Sequence, residues 1–136
     1  MPFVLDTSVA LAWHFEDEVS VYAERVLDKL ANDSALAPAL WPLEVANGLT
    51  MALRRGKITE ARLVRAIELS RNLNLTLVDV PPETAFGPVL DLAREHRLTV
   101  YDAAYLELAM REGLALATQD ADLIAAAKRV GLPELD

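Results

Sequence analysis

The sequence contains no cysteine and only two histidines. A disulfide framework, a thiolate nucleophile and a cysteine-based zinc site are therefore excluded, and no usable histidine pair is available for a metal. No apolar run approaches the ~18 residues that a membrane span requires, and no basic-then-apolar leader opens the chain. These absences predict a cytoplasmic protein without a membrane partner.

Basic residues are scarce, with 13 Lys and Arg against 21 Asp and Glu, which gives a formal net charge of -8. Such a charge argues against simple electrostatic adhesion to nucleic acid. The exception is the segment of residues 54–71, where basic side chains exceed acidic ones by four: Arg54, Arg55, Lys57, Arg62, Arg65 and Arg71 against Glu60 and Glu68. This segment is either a solvated helix pair or a contact surface for a partner.

The length of 136 residues predicts a single domain spanning residues 1–136. Hydrophobic residues make up 53% of the chain, and the mean hydropathy is +0.20, which is high for a small domain that must keep a polar surface. We therefore expect some apolar surface to contact a second copy or another chain.

Strand patterns alternate with helix patterns along the whole chain. The predicted strands are residues 3–5, 35–37, 75–80 and 114–118, and the tail after Gly131 is a candidate edge strand. The predicted helices are residues 9–13, 16–30, 42–56, 59–72, 83–95 with an interruption at Pro88, 103–112 and 123–130. This alternation predicts an α/β fold of three layers, α/β/α, around a parallel sheet of four to five strands.

Four acids, Asp6, Glu44, Asp102 and Asp120, fall where a strand or loop gives way to a helix. Because these points share one edge of a parallel sheet, we expect the four carboxylates to converge. Two like charges ~4 Å apart at an effective dielectric near 20 cost about 4 kcal/mol, so the acids must take up protons or bind a cation. The alternative is that each acid only caps its helix.

A site made only of oxygen ligands favours a hard cation, Mg²⁺ or Mn²⁺. Such an ion held by acids at a sheet edge is typical of attack on a phosphodiester. Hydroxyls at Thr7, Ser8 and Thr118 are candidates to orient a ligand or water, and Asp122 is a candidate to hold an outer water. Ordinary helix capping is the alternative for these four residues.

Four motifs in order carry a family resemblance. They are Val4-Leu5-Asp6-Thr7-Ser8, Pro42-Leu43-Glu44-Val45-Ala46-Asn47, Tyr101-Asp102-Ala103-Ala104-Tyr105-Leu106 and Ala117-Thr118-Gln119-Asp120-Ala121-Asp122-Leu123. Together they resemble the PIN domain, and more closely the VapC-type ribonuclease toxins of prokaryotic toxin–antitoxin pairs. The resemblance covers essentially the whole chain.

The resemblance implies a metal-dependent endoribonuclease with one or two Mg²⁺ or Mn²⁺ ions. The implied metal ligands are Asp6, Glu44, Asp102 and Asp120, with Asp122 as an accessory acid and Thr7 and Thr118 as polar neighbours. It further implies an RNA substrate cleaved to a 5′-phosphate and a 3′-hydroxyl, a homodimer, and a VapB-like antitoxin that blocks the site. The basic residues Arg54, Arg55, Lys57, Arg62 and Arg65 would contact either RNA or the antitoxin.

Two other functions fit part of the pattern. A phosphatase or phosphoryl acceptor on a similar frame typically has a second acid two residues after its nucleophilic aspartate, but Ser8 follows Asp6 here. A non-catalytic binding module would use its acids only as caps. We assign packing or local hydrogen bonding to the two histidines, His14 and His96, because the metal mechanism needs no imidazole. We assign packing to the two tryptophans, Trp13 and Trp41, for which stacking on a base is the weaker alternative.

Overall fold

A computed structural model describes residues 1–135. The strands are β1 (Phe3–Leu5), β2 (Ala35–Pro38), β3 (Leu75–Val78) and β4 (Leu116–Ala117). The helices are α1 (Thr7–Ala12), α2 (Val21–Lys29), α3 (Trp41–Arg54), α4 (Glu60–Arg71), α5 (Pro82–Thr84), α6 (Leu90–His96), α7 (Val100–Glu112) and α8 (Ala121–Arg129), with a π-helical segment, Ala85–Val89, between α5 and α6.

The four strands form one parallel sheet in the order β3-β2-β1-β4. The chain moves outward from β1 to β3 and then returns to β4 on the other side of β1. Because parallel crossovers are right-handed, α1 to α4 cover one face and α5 to α7 cover the other. The predicted three-layer α/β/α fold is therefore confirmed with four strands, and residues 132–135 form no fifth strand.

The centre of the molecule is β1, whose three residues, Phe3, Val4 and Leu5, have no exposed surface. A continuous apolar run is expected for a parallel strand covered on both faces. Helix α7 packs against β1 and β2, and all its residues from 103 to 109 are buried. The one acid among them, Glu107, is paired with Arg111 at 3.0 Å one helical turn later.

Two predicted helix starts are wrong by three or more residues. Helix α2 begins at Val21 rather than at residue 16, because the Ser20 hydroxyl accepts the N–H of Ala23 and caps the helix there. Helix α7 begins at Val100, three residues before the predicted start, because Thr99 caps it through the N–H of Asp102 at 3.0 Å. Asp102 therefore lies in the first turn of a helix and not in the preceding link.

The predicted interruption at Pro88 is confirmed, since Gly87 leaves the helical region with φ -101° and ψ -106° and separates the segment into shorter helices. None of the helices within residues 1–135 combines the length and the apolar composition that a membrane-spanning segment requires.

Glycine 48 leaves room for a side chain between two helices. A Cβ at Gly48 would lie 2.5 Å from Cδ1 of Leu11, so the Leu11 side chain of α1 packs directly against the backbone of α3 here. Because Glu44 lies one turn earlier on α3, this contact holds Glu44 beside the end of β1.

Candidate active site

The candidate site lies at the carboxyl edge of the sheet, between β1 and β4. The N–H of Asp6 donates to the carbonyl of Ala117 at 2.9 Å, so the two strand ends are joined there. The chain runs from β1 to β2 on one side, whereas β4 is added on the other side of β1, and such a switch point opens a cleft. The cleft has a volume of about 290 Å³ and is lined by Asp6, Thr7, Ser8, Leu11, Glu44, Asn47, Gly48, Asp102 and Asp120. The four predicted acids therefore share one cleft.

Asp6 is the most buried acid of the cleft, with 4% of its surface exposed. Its Oδ2 accepts hydrogen bonds from the hydroxyls of Ser8 and Thr118, both at 2.7 Å. Burial raises the pKa of Asp6, and the hydroxyls of Ser8 and Thr118 and the backbone N–H groups of Ser8 and Thr7 oppose that rise. The carboxylate of Asp6 is thus held by a hydroxyl from the start of α1 and by another from the residue after β4.

Glu44 is half-buried and is held by a different pair of hydroxyls. Its Oε1 accepts hydrogen bonds from Tyr105 at 2.7 Å and from Thr7 at 3.2 Å. Burial raises the pKa of Glu44, the hydroxyls of Tyr105 and Thr7 lower it, and the charge of Asp6 raises it further. A first-turn glutamate that served only the helix dipole would need none of these partners.

Asp102 shows most directly that the acids interact. Burial and then the charges of Asp6, Asp120 and Glu44 raise its pKa from the ordinary 3.8 to about 6, against a lowering by the hydroxyl of Thr99. Three acids from other parts of the chain therefore disfavour its ionised form. A bound cation would reverse that effect.

Asp120 combines capping with a position in the cleft. It is the N-cap of α8, where its Oδ1 accepts the N–H of Leu123 at 3.0 Å, while its own N–H donates to the hydroxyl of Thr118 at 3.1 Å. Asp120 therefore does cap its helix, as the capping alternative predicts, but it also lines the cleft. That alternative is wrong for Asp6, which occupies the N-cap position of α1 but makes no capping hydrogen bond.

The donor set suits a hard divalent cation, since it offers only carboxylate, hydroxyl and amide groups. Within residues 1–135, however, no group of three acidic or histidine side chains is already arranged to hold an ion. Asp6 and Glu44 each turn one oxygen toward hydroxyls, so ligation requires small side-chain movements toward the centre of the cleft. The chemistry of the residues therefore fits the ion, and their present arrangement does not yet enclose it.

The other predicted residues lie outside the cleft lining. Asp122 is exposed in the first turn of α8. Arg54 lies ten residues after Glu44 on α3, which is about 15 Å along the helix. Lys57 forms ion pairs with Glu18 and with Asp17. The predicted roles of these residues stay predictions.

Arg62 and Arg65, on α4, border a separate cavity beside Trp13 and His14. The pKa of the buried His14 is lowered by burial and by the charge of Arg62. The indole N–H of Trp13 donates to the carbonyl of Ala23 at 2.7 Å. Trp13 and His14 therefore have the packing and local hydrogen-bonding roles that were expected from the sequence.

The remaining two residues outside the cleft also serve packing or local contacts. Trp41 is 3% exposed, so it is not available to stack on a base. Nδ1 of His96 accepts a hydrogen bond from Nε of Arg129 at 3.2 Å. Both agree with the roles expected from the sequence.

Sequence reasoning missed two residues of the site, Tyr105 and Asn47. Each follows a predicted acid by three positions on the same helix, Tyr105 after Asp102 and Asn47 after Glu44. Residues three apart share a helix face, so this spacing was the available signal. The hydroxyl of Tyr105 also lies 2.8 Å from that of Thr7, which links α7 to α1.

Comparison with known proteins gives a consistent result. Residues 3–129 match the model of the PIN domain family. The chain is 32% identical over 123 residues to ribonuclease VapC3 of Pyrobaculum aerophilum, which covers 90% of this chain and 92% of that protein. It is 35% identical over 85 residues to exonuclease VapC9 of the same organism, over 62% of this chain and 61% of the relative.

Two solved structures share the fold. PAE2754 from Pyrobaculum aerophilum superposes with a TM-score of 0.67 and 26% identity over 93% of this chain and 87% of that one. VapC20 of Mycobacterium tuberculosis, described as a sarcin–ricin loop cleaving toxin, gives a TM-score of 0.65 over 99% and 98% of the two chains. At 17% identity the second likeness shows the fold alone.

Proposed function

The chain belongs to the PIN domain family, with VapC nucleases among its relatives, and we propose that it is a metal-dependent endoribonuclease that cleaves single-stranded RNA as the toxin of a toxin–antitoxin pair. The observation that carries the proposal is the shared cleft of Asp6, Glu44, Asp102 and Asp120 at the switch point of the sheet. A relative named a ribonuclease, aligned over 90% of the chain, supports RNA as the substrate class.

In this proposal the four acids hold one or two Mg²⁺ or Mn²⁺ ions, and Asp122 is an accessory acid. A bound ion supplies Lewis-acid stabilisation of charge at the scissile phosphate and lowers the pKa of a water ligand. The chain's own hydroxyls do separate work: Ser8 and Thr118 fix one oxygen of Asp6, while Thr7 fixes one oxygen of Glu44. Fixed carboxylates keep the geometry of the site constant between turnovers.

The cleft is acidic, so it repels an RNA backbone until a cation neutralises it. Basic residues beyond the cleft, Arg54, Arg55, Lys57, Arg62 and Arg65, are the proposed contacts for RNA or for a VapB-like antitoxin. Lys57 is the weakest of these, because Asp17 and Glu18 already neutralise it.

Exposed apolar side chains next to the acids support a protein partner. Leu43 is 76% exposed and directly precedes Glu44, and Tyr101 is 63% exposed and directly precedes Asp102. Exposed apolar side chains such as these favour contact with another protein, either a second copy of the chain or the antitoxin. Both partners remain part of the proposal.

The two alternative functions are disfavoured by specific contacts. A phosphoryl acceptor of this kind typically has a second acid two residues after its nucleophilic aspartate, but that position is Ser8, whose hydroxyl donates to Oδ2 of Asp6. A binding module whose acids only cap helices does not explain the four-way charge interaction at Asp102. The metal-dependent nuclease accounts for both observations.

The test is cleavage of a labelled single-stranded RNA by the purified protein with Mn²⁺, with Mg²⁺ and with EDTA. We expect metal-dependent internal cleavage, and no turnover of a generic phosphomonoester. Phosphomonoester turnover that the Asp6→Asn variant loses would instead establish the phosphatase. Expression of the wild-type protein should arrest host growth, and a neighbouring small gene with a DNA-binding fold and a basic tail should relieve it.

A further inference from the structure

The hydroxyl of Tyr105 occupies a place that the four-acid site leaves unexplained. Tyr105 lies on α7 with no exposed surface, 2.7 Å from Oε1 of Glu44 and 2.8 Å from Oγ1 of Thr7. We infer that Tyr105 is a positioning residue, which holds Oε1 of Glu44 so that Oε2 is the oxygen presented to the divalent ion. This inference rests on the proposed metal-dependent function.

The three groups form a closed triangle with its hydrogens accounted for. Tyr105 and Thr7 each carry one hydroxyl hydrogen, and the ionised carboxylate of Glu44 carries none. The hydrogen of Tyr105 goes to Oε1 at 2.7 Å while that of Thr7 goes to Oε1 at 3.2 Å or to the oxygen of Tyr105, or else Tyr105 donates to Thr7 and Thr7 donates to Oε1. Every arrangement leaves Oε1 as the acceptor.

The second oxygen of Glu44 is left for a ligand. Within residues 1–135, Oε2 accepts no hydrogen bond and is not sealed from solvent, while the side chain lines the cleft. A carboxylate rotates about its last bond unless one oxygen is fixed. Fixing Oε1 therefore decides which oxygen points to the cleft and in which direction.

Tyr105 is better suited to fix Glu44 than Thr7 is. Its ring is buried in the protein core, at the centre of the run of buried residues on α7. Its hydroxyl therefore has little freedom to move. The residues joined are 61 positions apart, and the bond ties α7 to α3 across the end of β1. Outer partners of metal ligands that are held in this way typically change metal affinity 10- to 100-fold when removed.

The test is isothermal titration of the metal-free protein with Mn²⁺, using variants that each lose one oxygen atom. We expect Tyr105→Phe to weaken Mn²⁺ binding by about 10-fold or more. Tyr22→Phe is the matched control, because its hydroxyl is also close to the site but accepts a backbone N–H from Thr118 and contacts no carboxylate. That variant should bind Mn²⁺ within about twofold of the wild type.

A double-mutant comparison separates positioning from general packing. If Tyr105 acts through Glu44, the Tyr105→Phe change should weaken binding in the wild type and have no further effect in the Glu44→Gln variant. An equal loss in both backgrounds would overturn the inference, as would a Tyr105→Phe affinity equal to that of the wild type. The melting temperature of each metal-free variant is measured in parallel to verify folding.

The outcomes for the two proposals are distinguishable. A wild-type protein that binds no Mn²⁺ at millimolar concentration would overturn the metal-dependent function and this inference with it. A wild type that binds, a Glu44→Gln variant that binds weakly and an unchanged Tyr105→Phe variant would overturn the role of Tyr105 alone.

Discussion

The two sides of the cleft hold their acids by different means. On the side of β1 and α3, Asp6 and Glu44 each have one oxygen that accepts two hydroxyl hydrogen bonds. On the side of α7 and α8, Asp102 and Asp120 both lie in the first turn or at the N-cap of a helix, where the helix dipole favours an acid. Asp120 also accepts the backbone N–H of Leu123, whereas in the described part of the chain no pair of hydroxyls holds either acid as it does Asp6 and Glu44.

This difference assigns separate roles to the two pairs. Hydroxyl partners fix the direction of one carboxylate oxygen, so Asp6 and Glu44 are already oriented in the metal-free protein. Asp102 has the pKa of about 6 and is the acid on which the charges of the other three act. The second side of the cleft therefore depends more on a cation or a proton than the first.

The largest expected effect comes from replacing an acid of the oriented pair. Asp6→Asn should reduce RNA cleavage by more than about 100-fold, since even outer partners of a metal commonly cost 10- to 100-fold. The metal-free variant should be as stable as the wild type or more stable, because a buried like charge is removed. RNA cleavage and urea unfolding in EDTA measure the two effects.

The exposed acid Asp91 on α6 provides a control of the same chemistry, and Asp91→Asn should change neither quantity. A metal-free Asp6→Asn protein clearly less stable than the wild type would show that Asp6 is chiefly a structural group, and the contrast between the two sides would then fail.

Metal binding should stabilise the protein, and Asp102 should report it. At a Mn²⁺ concentration of one hundred times the dissociation constant, the free energy of unfolding should rise by about 2.7 kcal/mol. Melting curves with and without Mn²⁺ measure this rise. In the Asp102→Asn variant the rise at the same Mn²⁺ concentration should be smaller, and an identical rise would place the ion away from this side of the cleft.

The oriented side also depends on the close contact of α1 and α3. In Gly48→Ala the new methyl group meets Cδ1 of Leu11 at 2.5 Å and forces that side chain to move, a cost of about 1–3 kcal/mol. Because alanine gains about 0.5–1 kcal/mol over glycine in a helix, the free energy of unfolding should fall by about 0–2 kcal/mol. Urea denaturation measures the loss. In a Leu11→Ala background the same change should cost much less, whereas an equal cost in both backgrounds would show that the contact does not limit the approach of the helices.

The last expected effect is a pH dependence of the free energy of unfolding, caused by Asp102 on α7. The folded state holds the proton of Asp102 up to about pH 6, and the unfolded state releases it near 3.8. The folded state thus binds more protons in this window, so the free energy of unfolding should fall as the pH rises from about 4 to 6 and then stay level. Urea unfolding in EDTA at several pH values measures it. In the Asp102→Asn variant the free energy of unfolding should depend less on pH. An unchanged pH dependence in that variant would show that other groups cause it.

The sequence predicted that the four acids lie close together because each follows local rules. Asp6 ends an apolar run and Asp120 precedes a helix, so both could be assigned to the carboxyl edge of a parallel sheet without knowledge of distant contacts. The start of α7 was missed because Val100 reads as strand-forming, and the cap at Thr99 outweighs that preference.

The hydroxyl partners were harder to predict because they are far apart in the chain. Thr118 reaches Asp6 across 112 positions, and Tyr105 reaches Glu44 across 61. A helix pattern shows Tyr105 as a core residue, and only the packing of α7 against the sheet turns its hydroxyl toward an acid. Pairings of this kind depend on tertiary structure that local periodicity does not contain.

The order of the strands has a consequence for how the cleft assembles. Of the four described strands, β4 is the last along the chain, yet it lies beside β1, the first. The cleft therefore joins acids from distant parts of the sequence, and Asp120 reaches Asp6 only when β4 has paired with β1. Folding that stops before this pairing would leave the four acids apart, so the cleft is a property of the completed sheet.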